Sequence, residues 1–390
     1  MGEVPSYPTF SSEEFTRRHQ STRALMAEND LAALLVYGRG SSHEVQYLSD
    51  WRVTTEAYLI FPLSGDPTLF VQLSNHLPNA RRMSICKDVR FGGASPTGSP
   101  NSTRSVIENL KERGLGRSRI GIAGPVPYQH YLEFCRALAE VEWVNFSAPM
   151  GELRQIKSPE ELGRIRRAAA MSDRAMEALE HQVRPGLREY QLAPIVEGAY
   201  LGEGGMNQIH FMATTSMGNP EICVPSQHLT DRILQKGDVL ITEISASYGG
   251  YSGQILRTFT IGEGPTPPYA KLHEVAMEAF ERAESVIRDG TTVEDVLEAT
   301  AVIEEHGYTI YDDFLHGANQ LPPIVRTKTT SRGVPPGFRF RENMAIVIQP
   351  NVITRDERAG VQFGEMLRVT REGVERLHHF SRRLVVCGGQ

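Results

Sequence analysis

The sequence predicts two α/β domains, and three observations support this fold class. The chain has 390 residues, which is more than one hydrophobic core usually supports. Short apolar runs such as LAALLVYG (31–38) and AYLIFP (57–62) alternate with helical segments in the first part of the chain. A long helical pattern then begins near Ser158. We therefore expect domains at residues 1–152 and 153–390.

Two helix starts have strong capping signals. Ser11-x-x-Glu14 is a capping box, in which a serine and a glutamate three positions later satisfy each other's backbone N–H groups. Ser158 is followed by Pro159 and two glutamates, a combination typical of the first turn of a helix. The second start is expected to open the second domain.

The second domain contains a weak internal repeat. Residues 183–205 and residues 287–308 each combine a basic residue, a turn glycine, an acidic first helical turn, an amphipathic helix and a closing glycine. Strand signals follow both copies. This pattern favours two αβ halves related by a pseudo-twofold axis, with a site between them.

Composition excludes several classes of function. A net charge of −6 and a pI near 6.1 provide no positive surface for nucleic acid or for an anionic membrane. Apolar runs are too short to span a bilayer, and the N-terminal residues lack the features of a signal peptide. The four cysteines are scattered without a CxxC pair, which favours reduced thiols. We expect a cytoplasmic protein.

The segment GDVLITEISASYGGYSGQILRTFTIGEG (237–264) predicts a β-hairpin with polar residues in an apolar setting. Glu243 and Gln254 lie on opposite arms and are expected to face each other. An exposed strand face remains one interpretation. Ile241 and Ile244 bound Glu243, however, and a strand that is apolar on both sides is usually buried on both faces. A buried glutamate needs a partner or a function.

This hairpin resembles the metal-site hairpin of the creatinase/aminopeptidase P/prolidase family. Family members typically read D-x-G-A-x-Y-x-G-Y-x-S-D-I-T-R-T-F at this place. The positions that match or substitute conservatively are Glu243, Ala246, Tyr248, Gly250, Tyr251, Arg257, Thr258 and Phe259.

Four further segments resemble family motifs in the same order. They are TDRILQKGD (230–238), LHGAN (315–319), VIQPNV (347–352) and GVQFGEMLRVTREGVERL (360–377). The resemblance implies an N-terminal creatinase-type α/β domain followed by a C-terminal pita-bread domain with pseudo-twofold αβ halves. It also implies a homodimer.

The family has five metal ligands, which are Asp, Asp, His, Glu and Glu, and the resemblance implies that only the histidine is unchanged in this chain. The corresponding positions are Glu243, Gln254, His316, Gln349 and Gly364. Glu365 is adjacent to the last position, but strand neighbours point to opposite faces. Two divalent cations require several anionic oxygens, so we expect no bound metal and no cofactor.

The leading hypothesis is a metal-independent, creatinase-like enzyme acting on a small polar nitrogen-containing substrate, with C–N bond hydrolysis as the reaction. A lyase, decarboxylase or isomerase would leave a similar sequence pattern. His316 and Glu243 are expected to transfer protons. The residues expected to bind substrate are Gln254, Gln349, His210, His228, Tyr251 and Glu365.

Two alternatives stay open. The first is a catalytically inactive pita-bread protein that binds a ligand or peptide, since most ligand identities differ from those of the family. The polar character of the replacements argues against this alternative, because an abandoned buried site tends to fill with apolar residues. The second is an Xaa-Pro-type metallopeptidase with unusual ligands.

Overall fold

The computed structural model describes residues 7–40, 42–92, 101–330 and 337–388. The chain divides after Arg154 into two compact units. Within the described ranges, no helix combines the length and apolarity needed to cross a membrane.

The first unit is an α/β domain built on a six-stranded sheet with the strand order β4-β3-β2-β1-β5-β6. Strand β1 lies inside the sheet, antiparallel to β2 and parallel to β5, which explains its nearly continuous apolar sequence. The elements are α1 (Ser12–Glu28), β1 (Ala33–Arg39), α2 (His43–Ser49), β2 (Glu56–Pro62), β3 (Thr68–Val71), a 3-10 turn (Ser74–His76), α3 (Leu77–Met83), β4 (Asp88–Phe91), α4 (Asn101–Glu112), β5 (Arg119–Ala123), α5 (Tyr128–Ala137), β6 (Glu142–Asn145) and α6 (Ser147–Gln155).

The second unit combines long helices with a largely antiparallel sheet. Its helices are α7 (Pro159–Gln182), α8 (Leu192–Gly198), α9 (Pro267–Val286) and α10 (Val293–Glu305), with 3-10 turns at Glu189–Gln191, Leu201–Glu203 and Ala318–Gln320. Its strands are β7 (Met206–Ser216), β8 (Asp238–Tyr248), β9 (Tyr251–Ile261), β10 (Thr309–Ile310), β11 (Leu315–Gly317), β12 (Ile324–Val325), β13 (Ala345–Ile348), β14 (Val352–Ile353), β15 (Gly364–Val369), β16 (Val374–Arg376) and β17 (Val385–Cys387).

Both predicted helix starts are present, with one difference. Ser158 caps α7 through a complete capping box with Glu161. Ser11 accepts a hydrogen bond from the backbone N–H of Glu14. The Glu14 carboxylate, however, forms ion pairs with the guanidinium groups of Arg17 and Arg18. A hydrogen bond between two charged groups is stronger than one from a carboxylate to a backbone N–H group.

The two halves of the second unit repeat the order of a long helix, a shorter helix and strands. Helices α7 and α8 precede β7, β8 and β9, and helices α9 and α10 precede the remaining strands. Nine strands form one sheet with the path β12-β11-β13-β15-β9-β8-β7, on which β16 pairs with β15 and β17 pairs with β9, while β10 and β14 form a separate two-stranded sheet. The repeat at residues 183–205 and 287–308 therefore corresponds to equivalent segments of the two halves.

Helix α7 lies very close to strand β9. A Cβ atom on Gly253 would lie 2.2 Å from the backbone nitrogen of Ala169 in α7. The Ser172 hydroxyl donates to the carbonyl of Gly253 and accepts from the backbone N–H of Ala246 in β8. Glycine at position 253 thus allows α7 to pack directly on the hairpin.

A buried charge cluster attaches the C-terminal segment to the sheet. The Glu365 carboxylate, which is fully buried, pairs with Arg257, Arg376 and Arg382. Arg257 also donates to the carbonyls of Gly364 and Ser381. Burial alone would raise the pKa of Glu365, but the charge of Arg257 and the contacts with the other two arginines lower it to about 2.

Replacing Glu365 with glutamine is expected to destabilise the fold. The change leaves the buried guanidinium of Arg257 without its counter-charge, and loss of one partner of a buried pair costs about 3–5 kcal/mol of unfolding free energy at pH 7. Chemical denaturation measures this change. Because the pKa of Glu365 is lower in the folded state, its contribution is full above about pH 4.5 and disappears as the pH falls toward 2.

The matched control is Arg383→Ala, which removes an exposed pair with Glu180. An exposed pair contributes about 0–1 kcal/mol, so this variant should unfold nearly like the wild type. An equally small effect of Glu365→Gln would contradict the structural role assigned to the cluster.

Candidate functional site

One face of the sheet formed by β8, β9, β15 and β13 carries the predicted polar residues. Glu243 pairs with Leu256, and Ser245 pairs with Gln254, across the β8–β9 ladder. Since side chains alternate along a strand, Glu243, Ser245 and Gln254 all project from the same face. We call it the amide face, and we call the face that packs on α7 the helix face. The sequence had suggested that Glu243 and Gln254 lie directly opposite each other. They are instead diagonal neighbours on the two strands.

A chain of hydrogen bonds crosses the amide face, and both amides in it have a fixed orientation. The Gln349 Nε2 group donates to the backbone carbonyl of Asp313 at 3.0 Å and to Oδ2 of Asp312 at 3.4 Å. Gln254 Nε2 donates to Gln349 Oε1 at 3.1 Å and to Glu243 Oε1 at 3.0 Å. Because a carbonyl oxygen only accepts, the Asp313 contact fixes the orientation of both amides.

Glu243 has an unusual electrostatic environment. Its removal from water, followed by the negative charge of Asp312, raises the pKa of the Glu243 carboxyl to about 7. In the described part of the chain, no lysine or arginine forms an ion pair with it. A carboxyl group with a pKa close to neutrality can give or take a proton at physiological pH.

His316 lies on the same side of the sheet at its other end. Strand β11 places it opposite Val347, two residues before Gln349, and its side chain is only 5% exposed. His316 Nδ1 lies 2.9 Å from the backbone carbonyl of Gly317. This contact requires a proton on Nδ1, so the neutral ring presents the lone pair of Nε2. No described residue bonds to Nε2.

Four residues expected to bind substrate lie elsewhere. His210 pairs with Ile244, which places it on the opposite face from Glu243, and its Nδ1 lies 2.6 Å from Oε1 of Glu197. His228 is exposed in a loop where Ser226 bonds to its backbone. Strand alternation and the loop path thus direct both histidines away from Glu243, and their expected role in substrate binding stays a prediction.

Tyr251 and Glu365 belong to the helix face. The Tyr251 hydroxyl donates to Glu161 of α7 at 2.9 Å. Glu365 binds three arginines, as described above. Both side chains alternate away from the amide face, and their expected role in substrate binding stays a prediction.

Comparisons with known proteins agree with this architecture. Residues 163–371 match the sequence profile described as Metallopeptidase family M24, and residues 18–156 match the Creatinase/Prolidase N-terminal domain. The chain belongs to metallopeptidase family M24. The resemblance to this family, the creatinase-type N-terminal domain and the C-terminal pita-bread domain are thereby confirmed.

Relatives within the family are distant in sequence. The chain is 26% identical over 276 residues to an Xaa-Pro dipeptidase of Pyrococcus furiosus, which covers 68% of this chain and 75% of the relative. It is 25% identical over 398 residues to the probable dipeptidase PepE of Mycobacterium tuberculosis, which covers 97% and 98% of the two chains.

Solved structures show the same fold. The X-Pro aminopeptidase of Thermotoga maritima has a TM-score of 0.80 at 19% identity and covers 94% of this chain and 99% of its own. The dipeptidase PepE of Mycobacterium ulcerans has a TM-score of 0.79 at 24% identity, with coverage of 97% and 99%.

Sequence reasoning missed three residues of the site. Asp312 and the Asp313 carbonyl orient Gln349, and the Ser245 hydroxyl lies beside Gln254. A signal for the first two was available, because the acidic pair directly precedes the FLHG segment of His316. Ser245 had no comparable signal, since serine is common in strands of many kinds.

The side chains of this site differ from the ligands of a divalent metal centre. The Gln254 amide hydrogens lie between Glu243 and Gln349, in contact with the oxygens that would have to bind a cation. At Gly364, a Cβ atom would lie 2.3 Å from the carbonyl oxygen of Ile348, so the backbone leaves no room for a longer side chain. Among the described residues, no group of three histidine, cysteine, aspartate or glutamate side chains is placed to hold a metal ion.

Replacing Glu243 with glutamine is expected to stabilise the protein at alkaline pH. The folded pKa is raised from 4.5 to about 7, so ionisation of Glu243 removes stability from the folded state as the pH rises through this range. Glutamine keeps the size and the acceptor oxygen but does not ionise. The melting temperature of the variant should exceed that of the wild type at pH 8.5 by more than at pH 5.

The control is Glu305→Gln, at an exposed glutamate of α10. The melting temperature of this variant should equal that of the wild type at both pH values. If the melting temperature of Glu243→Gln differs from that of the wild type by the same amount at both pH values, ionisation of Glu243 does not destabilise the folded state. That result would contradict the expectation.

Proposed function

We propose that this chain is a metal-independent hydrolase that cleaves a C–N bond in a small polar nitrogen-containing molecule by acid–base catalysis. The observation that carries the proposal is the state of Glu243. Its carboxyl group is held by an amide in place of a cation, and its pKa is raised to about 7. A general acid or base works best when its pKa lies near the working pH.

The donor chemistry supports metal independence. Resemblance to the family assigns metal ligands to the positions of Glu243, Gln254, His316, Gln349 and Gly364. One carboxylate and one imidazole remain among them. An amide N–H group bridges Glu243 and Gln349, where the oxygens would otherwise hold a cation. Hard divalent cations need several anionic oxygens, so these residues do not fit a pair of them.

The names of two relatives support the type of bond that we propose is cleaved. The relatives in Pyrococcus furiosus and Mycobacterium tuberculosis carry the names Xaa-Pro dipeptidase and probable dipeptidase. Dipeptidases hydrolyse an amide, which is a C–N bond. From these relatives we infer only the type of bond that is cleaved, since the residues of the site differ from the metal ligands of the family.

In the proposed reaction, water adds to the electrophilic carbon while the C–N bond breaks. The neutral His316 ring accepts a proton from the water at Nε2, and the protonated Glu243 carboxyl donates a proton to the leaving nitrogen. Proton transfer from His316 to Glu243, directly or through water, restores both groups. Gln254 and Gln349 hold the substrate and keep Glu243 in place.

The test measures amine release from a panel of dipeptides and small amides by the full chain in the presence of EDTA. Glu243→Gln and His316→Ala should each lower kcat by roughly a hundredfold or more, the usual contribution of a general acid or base. His228→Ala is the matched histidine control, because His228 is exposed and lies outside the site. It should retain wild-type turnover.

Two outcomes would contradict the proposal. In the first, elemental analysis finds one or two equivalents of a transition metal, and EDTA removes both metal and activity. In the second, no compound of the panel is hydrolysed although small ligands raise the melting temperature, which favours the inactive binding protein.

A further inference from the structure

The amide face continues past Gln254 toward the turn of the hairpin as a row of hydroxyl groups. Ser245 pairs with Gln254 across the β8–β9 ladder, and Ser247 pairs with Ser252 closer to the turn. Since side chains alternate along a strand, all three serines project from the same face as Glu243. The exposed fractions of Ser245, Ser247 and Ser252 are 1%, 7% and 8%, so the whole row is buried.

The Ser245 side chain has unused hydrogen-bonding capacity. Its hydroxyl group is buried and has no hydrogen-bond partner among the residues that the structure describes. A hydroxyl group can donate one hydrogen bond and accept two, and burying it without a partner destabilises the folded state. The Ser245 hydroxyl therefore indicates a ligand atom with which it exchanges hydrogen bonds.

Asn319 extends the row from the loop that follows His316. The Ser252 hydroxyl donates to Oδ1 of Asn319 at 3.0 Å, and no described residue accepts from its Nδ2 group. The backbone of Asn319 has φ 58° and ψ 35°, in the left-handed region that favours glycine. Asparagine at this position supplies an amide group that glycine would lack. We call Ser245, Ser247, Ser252 and Asn319 the turn cluster.

The turn cluster differs in charge from the rest of the amide face. Glu243 carries a carboxyl group and His316 an imidazole, whereas the turn cluster contains only hydroxyl and amide groups. These groups both donate and accept hydrogen bonds. A buried ion needs a counter-charge, which none of the four side chains provides. The turn cluster therefore suits a neutral group that has a donor and an acceptor of its own.

We propose that the turn cluster binds a neutral side group of the substrate, a hydroxyl or a carboxamide. Two residues of a strand span about 7 Å, which is the separation of Ser245 from Glu243 along β8. The side group therefore lies several bonds away from the C–N bond that is cleaved. This inference rests on the proposed function and narrows its substrate class. It uses none of the atoms that transfer protons in the proposed reaction.

Isothermal titration calorimetry of the full chain with matched neutral probes tests the proposal. N-acetyl-serinamide and N-acetyl-alaninamide differ by one hydroxyl group, and N-acetyl-asparaginamide and N-acetyl-leucinamide differ by a carboxamide in place of an apolar group of the same shape. In at least one pair, the polar probe should bind with a Kd roughly tenfold lower, the effect of about one buried hydrogen bond. The pair that shows this preference identifies the group.

Two results would overturn the proposal. In the first, the Kd values are equal within both pairs. In the second, the aspartate counterpart of the asparagine probe, which carries a carboxylate in place of the carboxamide, binds as tightly as the asparagine probe.

Variants locate the binding. Ser245→Ala and Asn319→Gly should each remove most of the preference for the polar probe. Ser245→Ala should not lower the melting temperature of the free protein, because it removes a buried hydroxyl without a partner. A purely structural serine would give a lower melting temperature and an unchanged preference. Ser285→Ala, at an exposed serine of α9, is the control and should keep the full preference.

The outcome is separate from the test of the hydrolase. Preferential binding of a polar probe, without hydrolysis of any amide in the panel, would support the turn cluster as a ligand site and contradict the enzyme. Amine release from the probes, with equal Kd values within both pairs, would support the enzyme and overturn the role proposed for the turn cluster.

Discussion

Alternation of side chains across strands β8, β9 and β15 is the constraint on which the site depends. It separates two glutamates that lie in the same sheet. Glu365 projects from the helix face, where three arginines hold its pKa at about 2. Glu243 projects from the amide face, where burial and a second carboxylate raise its pKa to about 7. The same residue type is thus a permanent anion on one face and a titratable acid on the other.

The backbone also fixes the orientation of the two side-chain amides in the site. The Asp313 carbonyl accepts from Gln349, Gln349 accepts from Gln254, and Gln254 donates to Glu243. Each amide therefore has one possible orientation. These hydrogen bonds hold the Glu243 carboxyl group in place.

Most of the fold could be predicted from the sequence, because local signals agreed with the family motifs. Ser158 and Pro159 marked the start of α7, and the hairpin was clear from its turn glycines and apolar arms. Glu243, Gln254, Gln349 and His316 were found because they replace or retain residues at motif positions.

The positions of other residues were harder to predict, because their side chains bind partners far away in sequence. Glu365 is bound by arginines of β9 and of the C-terminal segment, and His210 is bound by Glu197. Asp312 acts through Gln349, which is distant along the chain. The strand register alone places Glu365 and Tyr251 on the helix face, but the partners that hold them follow only from the packing of α7 and the C-terminal segment.

With its raised pKa, Glu243 is a neutral carboxylic acid under mildly acidic conditions and ionises near neutrality. Difference infrared spectroscopy of the wild type against Glu243→Gln isolates the carbonyl stretch of this one group across a pH titration. The structure predicts a protonated-carboxyl band that disappears with a midpoint near pH 7. A band that disappears near pH 4.5, the ordinary value for glutamate, would contradict it.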